Sequence, residues 1–243
     1  MSEPGPAKRL ITAARDLANE VDLLKFAPPV AHVYNPLRYA WRSHEEYLRR
    51  FGNSRKRVLF LGMNPGPFGM VQTGIPFGEV RAVRDWMEIR AAPEPPPNQH
   101  PKRPILGLAC ARSEVSGQRL WKLFADRFGT AEKFFAEHFV VNYCPLAFVE
   151  ASGANRTPNK LPAHEIADVY RLCDDHLHQV LDALAPEWLI GIGAFAARRA
   201  SLVCDSGMTK VGQILHPSPA SPAANRNWAG LATRELIRLG VWC

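Results

Sequence analysis

Four apolar, strand-like runs each break off at a residue or turn that could meet a ligand. The run from Val58 ends at Asn64, Phe139–Asn142 at Asn142, Trp188–Gly193 at Gly193, and Lys210–Leu215 at His216. A carboxamide offers both a donor and an acceptor to a planar heterocycle, and a neutral imidazole can donate to a developing anion without itself being charged. The loop after the first run, Asn64-Pro-Gly-Pro-Phe-Gly-Met70, continues to Pro76-Phe-Gly-Glu79. Its prolines fix φ and remove donors, while Gly66, Gly69, Gly74 and Gly78 let main chain approach closely, so a flat molecule could lie against bare backbone. Asn142 opens Asn142-Tyr-Cys-Pro-Leu146 and either reads a base edge or caps its loop. His216 opens the rigid His216-Pro-Ser-Pro219 and is either catalytic or a structural histidine. Phe77, between Pro76 and Gly78, either stacks on an aromatic ligand or fills core.

The elements that must position these residues alternate between helix and strand. An apolar stripe of Leu10, Ile11, Ala14, Leu17, Ala18, Val21 and Leu24 predicts a helix over Ala7–Lys25, and Tyr39–Phe51 reads as a second. Further helices are predicted at Glu79–Arg90, Ser116–Phe128, Ala131–His138, Pro162–Leu184, Ala194–Val203 and Ala224–Leu239. Pro93–Pro104 reads as an extended, exposed loop. Strands alternating with helices imply an α/β fold with a mainly parallel sheet covered on both faces, and the carboxyl edge of such a sheet is where ligands bind. No internal repeat or long linker divides residues 1–243, so one domain is expected.

Composition narrows the function. The 243 residues carry a formal charge of +7, and 47% are hydrophobic, enough for a substantial core. The basic balance suggests an anionic partner; Arg49, Arg50, Arg55, Lys56 and Arg57 could touch phosphates or form a solvated face. No run approaches the ~20 apolar residues that cross a bilayer, and no signal peptide is apparent, so an intracellular protein without a membrane partner is expected. Cysteines 110, 144, 173, 204 and 243 form no C-x-x-C pair, and histidines show no metal-ligand spacing. Neither metal nor cofactor is expected. Gly191-Ile-Gly-Ala-Phe-Ala196 matches a dinucleotide fingerprint but follows the third strand and lacks the later acidic residue, so a tight strand-to-helix turn explains it better. No phosphate loop of the G-x-x-x-x-G-K-[ST] type occurs.

Taken together, Gly62-Met-Asn-Pro-Gly66, Gln72-Thr-Gly74 through Phe77-Gly-Glu79, Asn142–Leu146 and His216–Pro219 resemble the single-strand-selective monofunctional uracil-DNA glycosylases. The likeness also takes in His100–Pro104, Ser113–Gly117 and Ala224-Asn-Arg226, so it spans roughly residues 28 to 240. It implies a three-layer α/β/α sandwich around a short four-stranded parallel sheet, and release of uracil and of 5-modified uracils from DNA. On that resemblance Asn64 positions the attacking water and His216 supports charge on the departing base. Asn142 reads the Watson–Crick edge, Phe77 stacks on the ring, and Met63 and Gly66 border the base. The segment implied to contact DNA after flipping holds Pro219, Ala220, Ser221, Asn225 and Arg226. Here the chain departs from the family: Ala220 stands where arginine is more usual, and Ser221 where asparagine is. A monomer acting on single- and double-stranded DNA, in the nucleoid or nucleus according to source, is the expectation. The alternatives are a mismatch-directed thymine/uracil glycosylase of the same superfamily and a non-catalytic sensor of damaged or single-stranded DNA.

Overall fold

In the computed structural model, which describes residues 4–204 and 209–243, two sheets meet at the loops singled out above. In chain order the elements are α1 (Pro6–Val21), β1 (Val30–Tyr34), α2 (Pro36–Tyr39), α3 (Trp41–Phe51), β2 (Val58–Gly62), α4 (Met70–Thr73), α5 (Val115–Phe128) and α6 (Ala131–Glu137). They continue with β3 (His138–Asn142), β4 (Ala147–Glu150), β5 (Asn155–Arg156), α7 (Ala163–Leu184), β6 (Trp188–Ile192), α8 (Ala194–Val203), β7 (Lys210–Ile214) and α9 (Pro222–Arg238).

The main sheet runs β3-β2-β6-β7 and every neighbouring pair is parallel. All five residues of β2 and of β3 are buried, as central strands covered on both faces require. One face carries Phe60, which meets Phe124 of α5 and Phe134 of α6. Gly212, paired with Ile190 on that same side, meets Leu239 at the end of α9. The other face carries Gly191, where a Cβ would collide with Ala197 of α8, and Phe139, on which Tyr47 of α3 stacks at 4.9 Å. Helices α1 and α7 complete this layer beside α3 and α8. The result is the three-layer α/β/α arrangement with a four-stranded parallel sheet.

Differences from the sequence-based expectation are local. A second, antiparallel sheet of order β1-β4-β5 lies where no strand was expected. The expected helix over Glu79–Arg90 shrinks to a short segment with a π-helical turn at Ala82–Trp86, because Glu88 takes a left-handed φ of 55° that no helix continues through. Pro93–Pro104 is not uniformly exposed: His100 is buried, its amide donating to the Tyr34 hydroxyl at 2.7 Å. Pro162 precedes α7 with an extended ψ of 148° rather than joining its first turn. His138 begins β3 rather than ending a helix. Gly191–Ala196 is the tight turn expected, with Gly193 at φ 91° before α8.

A candidate active site at the carboxyl edge of the parallel sheet

The loops after β2, β3 and β7, with the start of α5, enclose a cleft of about 580 Å³. Met63, Asn64, Gly66, Phe77, Asn142, His216 and Pro219 all line it. Parallel strand ends place their following loops on one side of the sheet, which is why residues up to about 150 positions apart converge. The β2–β3 ladder runs past the strands, through Tyr143 N to Gly62 O and Cys144 N to Met63 O, both at 2.9 Å. Asn142 is thereby fixed relative to Asn64.

Asn64 is half-buried and donates from Nδ2 to the Leu146 carbonyl at 3.1 Å. Its Oδ1 takes no hydrogen bond among the described residues, and the residue lines the cleft. Asn142 is 9% exposed, and its Nδ2 finds only the Met70 thioether at 3.2 Å, a weak acceptor. Its Oδ1 is buried without a hydrogen-bond partner among the described residues. Leaving such a group unsatisfied costs on the order of 1–3 kcal/mol, a penalty that a ligand donor would relieve.

Phe77 has the strained φ of 53° for a bulky residue. It is held there by its carbonyl, which accepts from the Trp121 indole at 3.0 Å and presses against Gly117, where a Cβ would collide with it. Its ring and the Asn142 Oδ1 occupy the space beside Gly62, which could not carry a side chain. The His216 ring centroid lies 6.0 Å from that of Phe77. Burial holds the imidazole pKa below its usual value, so the ring is neutral at pH 7 and can donate one N–H. Around it, the Trp228 indole bonds the Leu215 carbonyl at 2.6 Å and Arg119 bonds the Pro217 carbonyl at 3.1 Å. Gly193 is bare where the His216 Cβ rests against it.

The segment after the histidine is split between scaffold and surface. Pro219 lines the cleft. Ala220 is exposed, with its amide on the Ser218 hydroxyl at 3.1 Å. Ser221 caps α9, accepting from the Ala224 amide. Asn225 donates to the Pro219 carbonyl at 2.8 Å and accepts from Arg119 at 2.9 Å, so both ends of its amide brace the loop. Arg226 is exposed and forms no ion pair among the described residues.

Two features escaped sequence reasoning. Arg112 stands 4.1 Å over the Phe68 ring at the cleft, with Arg103 5.3 Å from that ring. A cation–π pair joining residues over 30 positions apart leaves no periodic signal. Glu114 also lines the cleft, and burial raises its carboxyl pKa to about 7 against the lowering effect of the Gly69 and Phe68 amides. Its only sequence signal was membership of Ser113–Gly117. Among the described residues no group of three or more His, Cys, Asp or Glu could hold a metal ion, and no helix is long and apolar enough to cross a membrane.

Residues 49–237 match the uracil DNA glycosylase superfamily. The chain is 44% identical over 257 residues to the rat single-strand selective monofunctional uracil-DNA glycosylase, covering 98% of this chain and 92% of the rat protein. The bovine protein of the same description is 44% identical over 248 residues, covering 99% and 91%. The mouse protein is 45% identical over 225 residues, covering 91% and 80%. The crystal structure of wild-type Pedobacter heparinus SMUG2 superposes with a TM-score of 0.69 at 18% identity over 98% of both chains, a likeness of fold.

Proposed function

Because this chain belongs to the single-strand-selective monofunctional uracil-DNA glycosylase family within the uracil-DNA glycosylase superfamily, we propose that it hydrolyses the N-glycosidic bond of uracil in DNA at this cleft, leaving an abasic site. The observation that carries the site assignment is the buried Asn142 Oδ1, unpartnered among the described residues, which shares the space beside Gly62 with the Phe77 ring in the cleft that His216 also lines. A carboxamide with an orphan oxygen and a weakly held NH2 matches the N3–H donor and O4 acceptor of uracil.

In this reading the nucleotide leaves its stack before chemistry, at a cost of a few kcal/mol that is least for single strands. Phe77 stacks on the ring, Asn142 holds the N3/O4 edge, and the Met63 and Gly66 backbone borders the base. Cleavage gives an oxocarbenium-like sugar and a uracilate anion. His216, kept neutral by burial, donates toward O2 as the charge develops there. Asn64, anchored through Nδ2, offers Oδ1 to the attacking water. A carboxamide orients water but cannot deprotonate it early, so turnover is modest. Exposed Arg226 contacts a phosphate or groove, while Pro219, Ala220 and Ser221 face the gap left by the flipped nucleotide. Asn225 acts through the loop it braces. The reading takes residues 1–243 as one catalytic domain, which a continuous buried cluster from Leu10 to Trp242 supports, and takes that domain to act as a monomer. Uracils substituted at position 5 are included as substrates.

The test is incubation with single- and double-stranded oligonucleotides carrying one uracil, with and without alkali. Free uracil and strands that break only after alkali are expected. Strand scission without alkali, or a borohydride-trapped protein–DNA adduct, would contradict a monofunctional hydrolase. Excision of thymine from G·T pairs at the uracil rate would favour the mismatch-directed alternative.

A further inference from the structure

Uracil and cytosine share an outline and present opposite edges. Uracil offers N3–H as a donor and O4 as an acceptor, whereas cytosine offers N3 as an acceptor and its 4-amino group as a donor. One carboxamide fits either base, because a half-turn about its last torsion exchanges the oxygen and the NH2. Asn142 therefore tells the two apart only if something holds its amide in one of these orientations.

A single contact does so. Among the described residues the Asn142 side chain bonds only Met70, Nδ2 to Sδ at 3.2 Å, while Oδ1 lies unpartnered in the space beside Gly62. A thioether accepts a hydrogen bond and cannot donate one. With one amide hydrogen on the sulfur, the other is left for O4 and Oδ1 is left for N3–H. The half-turn would set Oδ1 against the sulfur, lone pair to lone pair, and break the one bond the amide has. His44 and His176 line a small cavity behind Asn142, yet neither bonds the amide among the described residues; His44 instead donates from Nδ1 to the Gly74 carbonyl at 2.8 Å.

Methionine is a flexible side chain, so its sulfur can point only where packing fixes it. Met70 is 2% exposed, and the turn that carries it, α4, is tied from several sides. The Tyr39 hydroxyl donates to the Val71 carbonyl at 2.7 Å, and Gln72 Nε2 donates to the carbonyls of Pro67 and Pro104 at 3.0 and 3.1 Å. The Thr73 hydroxyl donates to the Gly78 carbonyl at 3.0 Å, which ties the same turn to the segment holding Phe77.

We infer that Met70 is a positioning residue, whose sulfur fixes the Asn142 amide in the orientation that reads uracil and thereby sets the discrimination against cytosine. The inference rests on the glycosylase reading and deepens it. A hydrocarbon side chain of similar volume fills the same space but accepts no hydrogen bond, so it leaves the two amide orientations close in energy. In the flipped orientation the amide offers N–H to N3 and Oδ1 to a 4-amino group, the pattern that cytosine completes.

The experiment compares dissociation constants for two single-stranded oligonucleotides, one carrying 2′-fluoro-2′-deoxyuridine and the other 2′-fluoro-2′-deoxycytidine at the same position. The fluorine disfavours the oxocarbenium-like sugar, so binding is read without cleavage. Wild type is set beside Met70→Leu and beside protein with norleucine introduced at position 70, which exchanges the sulfur for a methylene and keeps the shape. Wild type is expected to prefer the uracil oligonucleotide. Both replacements are expected to lower that preference by about fivefold or more, the scale of one hydrogen bond, through weaker uracil binding with cytosine binding kept or improved. A smaller drop overturns the inference, and an equal loss on both oligonucleotides assigns Met70 to packing alone. Should neither replacement fold, nuclear Overhauser contacts in wild type decide: contacts from the Asn142 NH2 protons to the Met70 side chain support the orientation, and their absence overturns it. Wild type that releases uracil from the unfluorinated strand yet binds the two analogues equally defeats this inference alone; wild type that releases no uracil defeats the glycosylase reading with it.

Discussion

The two ends of β3 place a polar side chain in the same parallel sheet, four residues apart, and treat it in opposite ways. At the amino end, His138 is 1% exposed and both ring nitrogens are engaged: Nδ1 donates to the Phe134 carbonyl at 3.1 Å and Nε2 accepts from the Trp242 indole at 3.2 Å. Nearby Lys56 donates to Ser54 Oγ and the Phe135 carbonyl. At the carboxyl end, Asn142 is almost as buried, yet it holds only a thioether and leaves Oδ1 bare. Closed networks rigidify; open ones await a ligand. Burial alone does not separate the two. The other buried orphan atoms among the described residues, Glu165 Oε2 and Arg199 Nε, belong to side chains anchored elsewhere, to the Ala27 amide at 2.8 Å and to Asp174. Glu114 Oε2 likewise belongs to a carboxyl that the Gly69 and Phe68 amides engage, so among these four Asn142 alone has no strong partner for any of its atoms among the described residues.

The largest expected effects fall at the open end. Asn64→Ala or His216→Ala should lower the single-turnover rate of uracil release by about 10²-fold or more, the scale of losing one preorganised electrostatic contact, with folding retained. Wild-type rates in both folded variants would remove the proposed chemistry. The closed end should respond in stability instead. His138→Ala leaves the Trp242 N–H and the Phe134 carbonyl unpaired around a new void, and should cost about 3 kcal/mol in urea unfolding with little change in rate per folded molecule. An equal or larger loss of rate than of stability would blur the comparison.

A smaller effect comes from pH. His44, His138 and His176 are held to about 4 by burial, against an ordinary 6.5. The unfolded chain therefore binds protons that the folded chain refuses, and stability should fall as pH drops from about 6.5 toward 4. Glu114 runs the other way: its raised pKa makes its contribution erode as pH rises from 4.5 through about 7. Denaturant midpoints at pH 4, 5, 6.5 and 8 check this. A midpoint higher at pH 4 than at 6.5 would show that the histidines are not buried neutral.

How far the sequence alone leads depends on the range of the interaction. Asn64, Asn142 and His216 were legible because each terminates a β-branched or apolar run and has a proline within the next three residues, a short-range signal. The short strand Val30–Tyr34 was not: Pro28, Pro29 and Pro36 flank it, and its burial alternates imperfectly around a register shift between Val30 and His32. Ala147–Glu150 hides five residues beyond β3 behind Pro145. The helix expected over Glu79–Arg90 failed at the positive φ of Glu88, a residue whose type gives no warning. Phe77 illustrates a different obscurity. Packing and stacking are not rivals there, because Phe77 is 7% exposed and still lines the cleft. Glu114 was invisible because its environment is made by glycines more than 40 positions away.

The smallest effect expected concerns the rim. Ala220 is exposed beside Pro219 and offers no bulk to fill a vacated stack. Ala220→Arg should raise the rate on U·A duplex a few-fold more than on single strands, with steeper salt dependence because a cation is added near phosphates. Equal gains on both substrates at fixed salt would separate this loop from duplex opening.

The contrast between the ends of β3 is tested most directly by Asn142→Ala set beside His138→Ala, comparing single-turnover uracil release per folded molecule with urea stability. The account predicts that Asn142→Ala loses at least tenfold in rate while its stability stays within about 1 kcal/mol of wild type, since it removes an oxygen that had no partner. Asn142→Ala releasing uracil at the wild-type rate, or losing as much stability as His138→Ala, would contradict it.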